Sequence, residues 1–209
     1  MDYAKHLAAH TLQGGLNVAP TESIPAAMRG APNTNAPVWA QDDWSEWHTV
    51  ASPLTTAELE AFEQQFAVAL PQQFRQYLMA CCHIFSEMPA ASFADSIYIA
   101  NTPSNAPLMP LTHIINSAER LLDAGYLPIG DWGLGYGPVC FDVGQRGAQL
   151  TDAPIVWFDH EQLAQLDDEQ LQQRQSLAPL AQPLYSSFVA CFADTYAAPA
   201  VEQLTEPTR

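Results

Sequence analysis

The sequence predicts an α+β domain whose mainly antiparallel, twisted sheet is covered by helices. Three observations carry that prediction. Apolar residues recur at three- and four-residue spacing from Leu59 to Phe66, from Phe74 to Cys82 and from Leu184 to Tyr196. Between these stretches lie short β-branched and aromatic runs separated by turns rich in Gly, Pro and Asp. The two kinds of segment are grouped rather than alternating, which argues against a βαβ winding with a parallel sheet.

Residues 1–38 are rich in Ala, Pro, Asn, Thr and Gly, and Gly14-Gly15, Pro20, Pro25, Pro32 and Pro37 interrupt every periodic segment but a short helix over Tyr3 to Leu12. The stretch reads as an N-terminal extension, residues 39–198 as the folded domain and residues 199–209 as a flexible C-terminal tail. Trp39 to Trp47 sets three indoles among three carboxylates, a pattern that suits either a binding edge or the closure of a core. Thr55 followed by Glu58 marks a helix start, and Leu59, Phe62 and Phe66 form its apolar stripe. Glu58, Glu60 and Glu63 then fall in its first turn and on its exposed face. Pro71 opens a second helix whose stripe is Phe74, Tyr77, Leu78, Cys81 and Cys82, with His83 at its end.

Ser96 to Ala100 alternates as a strand does, and Asn116 to Ala124 reads as a helix stopped by Gly125. The run Tyr126 to Ile129 and the run Pro138 to Val143 flank the turn Gly130-Asp-Trp-Gly-Leu-Gly-Tyr-Gly137, a glycine-rich hairpin. A phosphate-cradling loop leads into a helix, whereas this one leads into a strand, so a nucleotide site is not expected. Pro154 to Phe158 is a further buried strand, and Leu180 to Tyr196 a closing helix. There is no internal repeat.

Seven Lys and Arg against twenty-three Asp and Glu in 209 residues give a formal charge of −16. Such a surface repels nucleic acid and anionic membranes, so a charged partner should be basic. No window is long and apolar enough to span a bilayer and the N-terminus has no signal-like apolar run, from which a cytoplasmic location is expected. Cys81, Cys82, Cys140 and Cys191 each sit in an apolar run with no paired spacing, so disulfides are not expected. His6, His10, His48, His83, His113 and His160 are scattered, and no metal or other cofactor is expected. An enzyme would draw on Cys81 or Cys82 with His83, or on Asp131 and Asp142 as acid and base; the cysteines equally continue a helix's core stripe.

The Leu70-Pro-Gln-Gln-Phe-Arg-Gln-Tyr-Leu78 block, the Leu127-Pro-Ile-Gly130 strand, the glycine turn into Val139-Cys-Phe-Asp142, the strand end Ile155 to Glu161 and Ser187-Phe188 follow a Trp and an acidic helix. This order, from about Trp44 to Tyr196, resembles the SUKH superfamily, whose bacterial members are mostly immunity proteins of polymorphic toxin systems and whose fungal member regulates cell-wall synthesis. The chain departs from the family at Cys81-Cys-His-Ile-Phe85, where relatives have Asn-Gly.

The resemblance implies a SUKH-like single domain with no catalytic residues. It also implies stoichiometric binding of a cognate toxin effector domain, or alternatively a non-catalytic scaffold or regulatory role. Candidate partner-binding residues are Asp131, Trp132, Tyr136, Asp142, Asp159, Glu161, Asp167, Asp168 and Glu169, all at loop positions. For Asp131 and Asp142 the alternative is capping of turn amides, and for Asp167 to Glu169 a solvated helix start. Trp132, between Asp and Gly, is expected to be more exposed than Trp157, which lies within an apolar strand.

Overall fold

The chain begins with helix α1 (Tyr3–Leu12), followed by strands β1 (Val18–Pro20), β2 (Arg29–Pro32), β3 (Trp44–Trp47) and β4 (Val50–Ala51). Helices α2 (Thr56–Phe66) and α3 (Gln72–Ala80) come next, then β5 (Cys81–Cys82), β6 (Met88–Pro89), β7 (Ser96–Ile99) and helix α4 (Met109–Ser117). The hairpin β8 (Tyr126–Trp132) and β9 (Gly137–Asp142) leads to β10 (Ile155–Trp157), short helices α5 (His160–Leu163) and α6 (Arg174–Leu177), β11 (Gln182–Tyr185) and α7 (Phe188–Phe192). The computed structural model describes residues 1–12, 17–32, 43–85, 88–133 and 135–197, with only the backbone of Leu12 and Ala197. Trp39, the glycine pair at 14–15, Pro37 and the tail at 199–209 lie outside the described residues.

Strands β6 to β11 pair in sequence order, all antiparallel, as a six-stranded meander. A three-stranded sheet has β3 between β1 and β2, and β4 pairs with β5. The edge strands of both larger sheets carry proline: Pro20 and Pro32 on β1 and β2, Pro89 and Pro183 on β6 and β11. Proline has no amide to donate, so these edges are poor templates for an added strand.

The meander is covered on both faces, and its alternation shows which residues go where. Ile97, Ile99, Leu127, Ile129, Val139, Phe141 and Ile155 join the main core with Phe74, Tyr77 and Leu78 of α3, Phe188 and Phe192 of α7 and Leu59 of α2. Tyr3, Leu7, Ile24 and Met28 belong to the same core. The opposite face turns Tyr126, Cys140, Val156 and Phe158 to Leu121, Ala124 and Leu177 in a second, smaller core. Burial on two sides explains why β8 and β9 read as nearly continuous apolar runs.

Local contacts fix the helices. Thr55 accepts from the Glu58 amide and Glu58 from the Thr55 amide, so the helix start expected at Thr55 is closed by a capping box. Arg146 donates to the carbonyl oxygens of Phe66 and Ala67 and pairs with Asp123 at 2.6 Å, closing the C-terminus of α2. Asp152 accepts from the Phe188 and Val189 amides and so caps α7 from across the fold, beside the cap by Ser187.

Several local expectations are corrected. The second helix ends at Ala80, because Cys81 is extended and Cys81–Cys82 pair with Val50–Ala51. His83 does not cap a helix end: it is fully buried and bridges to Thr102. Glu63 is no exposed-face residue, since its carboxylate accepts from the Leu70 amide and from Arg75 and so ties α2 to α3. The helix before Gly125 starts earlier, at Met109, with Pro110 in its first turn, and gives way to a 3₁₀ turn over Glu119–Leu122. The closing helix is preceded by β11, whose Pro183 sits at a sheet edge.

Candidate partner-binding site

On the second face of the meander the helical cover is incomplete, leaving a cleft of about 660 Å³. Its floor is a row across three strands, in which Tyr98 pairs with Asp131 and Asp131 with Pro138. One wall is the end of α4 and the turn Ser117 to Leu121, and the other is α5 with Leu171.

A bulge places Asp131 there. The β8–β9 register shifts between Pro128 and Gly130, which exchanges the faces of the two residues that follow. Trp132 therefore points into the main core and is 6% exposed, while Asp131 turns to the cleft. This reverses the expectation for the tryptophans: Trp132 is buried against Phe93 and stacks on Trp157, which is the more exposed of the two.

Asp131 Oδ1 accepts from the Trp132 amide at 2.9 Å and the Gly137 amide at 3.1 Å, so turn capping is one of its roles. Burial raises its carboxyl above the ordinary carboxylate range, against the pull of those amides and of His160. Tyr136 at the hairpin tip is 54% exposed. Its ring lies across Gly133, where even a Cβ would come within 2.2 Å of it. The Tyr136 carbonyl accepts from both the amide and Nδ1 of His160, each at 2.9 Å, stapling the hairpin tip to α5. Asp159 caps α5 through the Glu161 amide, which leaves the Glu161 carboxylate exposed with no partner among the described residues.

Asp131 thus lines the cleft, and Tyr136, Asp159 and Glu161 adjoin the lining residues Gly135, Gly137 and His160. The others do not. Asp142 lies at the far end of the hairpin, opposite Tyr126, and both its oxygens accept from Arg174 at 2.8 Å. Asp167 caps a 3₁₀ turn through the Gln170 amide, Asp168 pairs with Arg120 of the cleft wall, and Glu169 accepts from Gln173, so this trio lies beyond the opposite wall. Sequence reasoning missed Tyr98, Glu119, Arg120 and His160 as cleft residues. Tyr98 was findable, because alternation in β7 sets it opposite Ile97 and Ile99.

Four of the seven basic side chains are consumed in ion pairs: Arg75 with Glu63, Arg120 with Asp168, Arg146 with Asp123 and Arg174 with Asp142. The net negative charge is therefore presented by carboxylates with little cationic relief. All four cysteines are free and buried, and burial pushes the Cys81 thiol up to about 12, which leaves almost no thiolate at neutral pH. Among the described residues no three His, Cys, Asp or Glu side chains converge as metal ligands, and no helix is long and apolar enough to cross a membrane.

A twisted antiparallel meander, covered by helices on both faces and opened by a cleft with an acidic rim, defines a compact α+β module. Residues 53–188 match the model of the SMI1 / KNR4 family (SUKH-1), and the chain belongs to that family. No curated protein and no solved structure gives a significant match.

Proposed function

We propose that this protein is an immunity protein that binds a cognate, basic toxin domain in the cytoplasm and neutralises it by stoichiometric occlusion. Membership of the SUKH-1 family over residues 53–188 carries the reading, since members of that family are often immunity proteins. The charge of −16, with most arginines already paired internally, supports it: a basic partner is drawn in quickly and held by contacts formed after encounter. The proline-bearing sheet edges favour docking on a face or cleft over strand addition.

In this reading the interface centres on Asp131, Tyr136, Asp159 and Glu161, with Asp167 to Glu169 contributing long-range attraction. Tyr136 is the aromatic anchor, since its ring is exposed yet already fixed against Gly133 and loses little freedom on binding. Tyr136→Ala is expected to weaken the complex about tenfold or more, on the order of 1.4 kcal/mol, with an unchanged melting temperature. Titration calorimetry with thermal melts of the free variant checks both parts.

The reading is tested in cells that express the reading frame next to this gene, where the cognate toxin is expected. Co-expression of this protein should restore growth. Lack of rescue would transfer the weight to a scaffold or regulatory role within the same superfamily.

A further inference from the structure

The cleft contains one strong acceptor that the fold leaves unused. Both amides that reach Asp131 go to Oδ1, from Trp132 at 2.9 Å and from Gly137 at 3.1 Å. A carboxylate oxygen accepts through two lone pairs, so Oδ1 is saturated and Oδ2 remains for the cleft. His160 supplies a second acceptor. Its Nδ1 lies 2.9 Å from the Tyr136 carbonyl oxygen, and because a carbonyl only accepts, Nδ1 carries a proton, which leaves Nε2 as the ring atom that offers a lone pair whenever the imidazole is neutral.

The rest of the lining suits a cation on an apolar stem. Leu121, Leu163 and Leu171 line the cleft; Arg120 is held by Asp168, and Glu119 is exposed on the same wall without a partner among the described residues. Arginine is the weaker candidate, because its planar fork gains most by bonding both oxygens of one carboxylate, and one of them is already full. An ammonium is a point charge with three donors on a four-carbon stem, and it needs only one oxygen and a second acceptor nearby.

We propose that the cleft receives a lysine side chain of the partner, with its ammonium between Asp131 Oδ2 and His160 Nε2 and its methylenes against Leu121, Leu163 and Leu171. The inference rests on the reading of this protein as a binder of a basic partner and specifies how that partner is recognised. The volume of about 660 Å³ leaves room for the residues flanking the lysine.

The test is titration of the isotopically labelled full-length protein with Nα-acetyl-lysine methylamide and its arginine and norleucine counterparts, following the amide resonances of Asp131, Gly137 and Ala164. The lysine probe should shift these resonances saturably and bind at least threefold more tightly than the arginine probe, with the norleucine probe weakest. Asp131→Asn should weaken the lysine response at least tenfold while keeping the hairpin, since the Asn carbonyl oxygen still accepts from Trp132 and Gly137. Leu163→Lys, on the α5 wall, should abolish the response by filling the cleft.

Equal or tighter arginine binding, or a lysine response unaffected by Asp131→Asn, overturns the proposal. A tight complex with the co-encoded toxin domain that Asp131→Asn leaves unchanged overturns the cleft assignment and leaves the occlusion reading standing. A selective, Asp131-dependent lysine response without any toxin complex supports the cleft assignment and removes the toxin.

Discussion

Replacing Gly130 by Ala is expected to lower the stability of this protein by about 3 kcal/mol or more, a size that single substitutions reach through steric conflict in a core. Gly130 lies where the β8–β9 register shifts, and there the backbone of β7 passes so close that an added Cβ would sit 1.9 Å from the Tyr98 carbonyl oxygen. The conflict is with backbone in the middle of a six-stranded sheet, so no side chain can rotate away from it. Relief requires β7 and β8 to separate, at the cost of the pairings of Ile97, Tyr98 and Ile99 with Trp132, Asp131 and Gly130. A thermal melt should show a midpoint lower by roughly 6–12 °C for a chain of this size. A shift of one or two degrees would mean that the strands accommodate a methyl group and that the bulge is not under this constraint.

The second large effect is a loss of stability in acid that depends on His83. Its ring is fully buried, and burial pushes its pKa down from 6.5 to about 3. Tyr77 Oη lies 2.8 Å from His83 Nε2 and donates to the Ala100 carbonyl at 3.2 Å, so Nε2 is the donor to Tyr77. Nδ1 has no partner, and a proton placed there would have no acceptor. In the unfolded chain the imidazole takes up a proton below about pH 6.5, whereas the native state keeps it neutral down to about pH 3.

The stabilisation from a neutral His83 is therefore fully present above about pH 6.5 and declines as pH falls toward 3, by at most about 1.4 kcal/mol per pH unit. His83→Phe removes the titration and leaves Tyr77 bonded to Ala100. Its denaturation midpoint should vary less between pH 6.5 and 4 than that of the parent chain. Equal slopes for the two chains would mean that other groups carry the acid sensitivity.

The elements whose patterns are local were legible in the sequence. The helix start at Thr55 with its acidic first turn, the first helix from Tyr3, the hairpin and the strand around Ile155 and Val156 were read from spacing, caps and turn residues. The antiparallel sheet followed from the grouping of strands and their short connections. What escaped depends on partners distant in sequence. Cys81 and Cys82 continue a helical stripe perfectly well, and only their pairing with Val50 and Ala51 makes them a strand. His83 and Glu63 look like surface polar residues until the elements that enclose them are placed.

The site shows the same division. Asp131 and Tyr136 were legible as hairpin residues, but which side of the sheet each faces was not. One extra residue in β8 exchanges the faces of Asp131 and Trp132, and nothing in Leu127-Pro-Ile-Gly130 announces it beyond a proline and a glycine that suit a bulge. His160 enters the cleft through bonds to Tyr136, twenty-four residues away in sequence, a distance that no local pattern spans. Asp142 illustrates the converse: an acidic residue at a strand end looked available for a partner, and Arg174 occupies it.

The most direct test of the proposed immunity role is calorimetric titration of the purified protein with the product of the reading frame next to its gene, the proposed toxin, at low and at high salt. A one-to-one complex with a Kd on the order of nanomolar or tighter is expected, weakened as salt screens the attraction between an acidic and a basic surface. No heat of binding at either salt concentration, with both proteins folded, would contradict it.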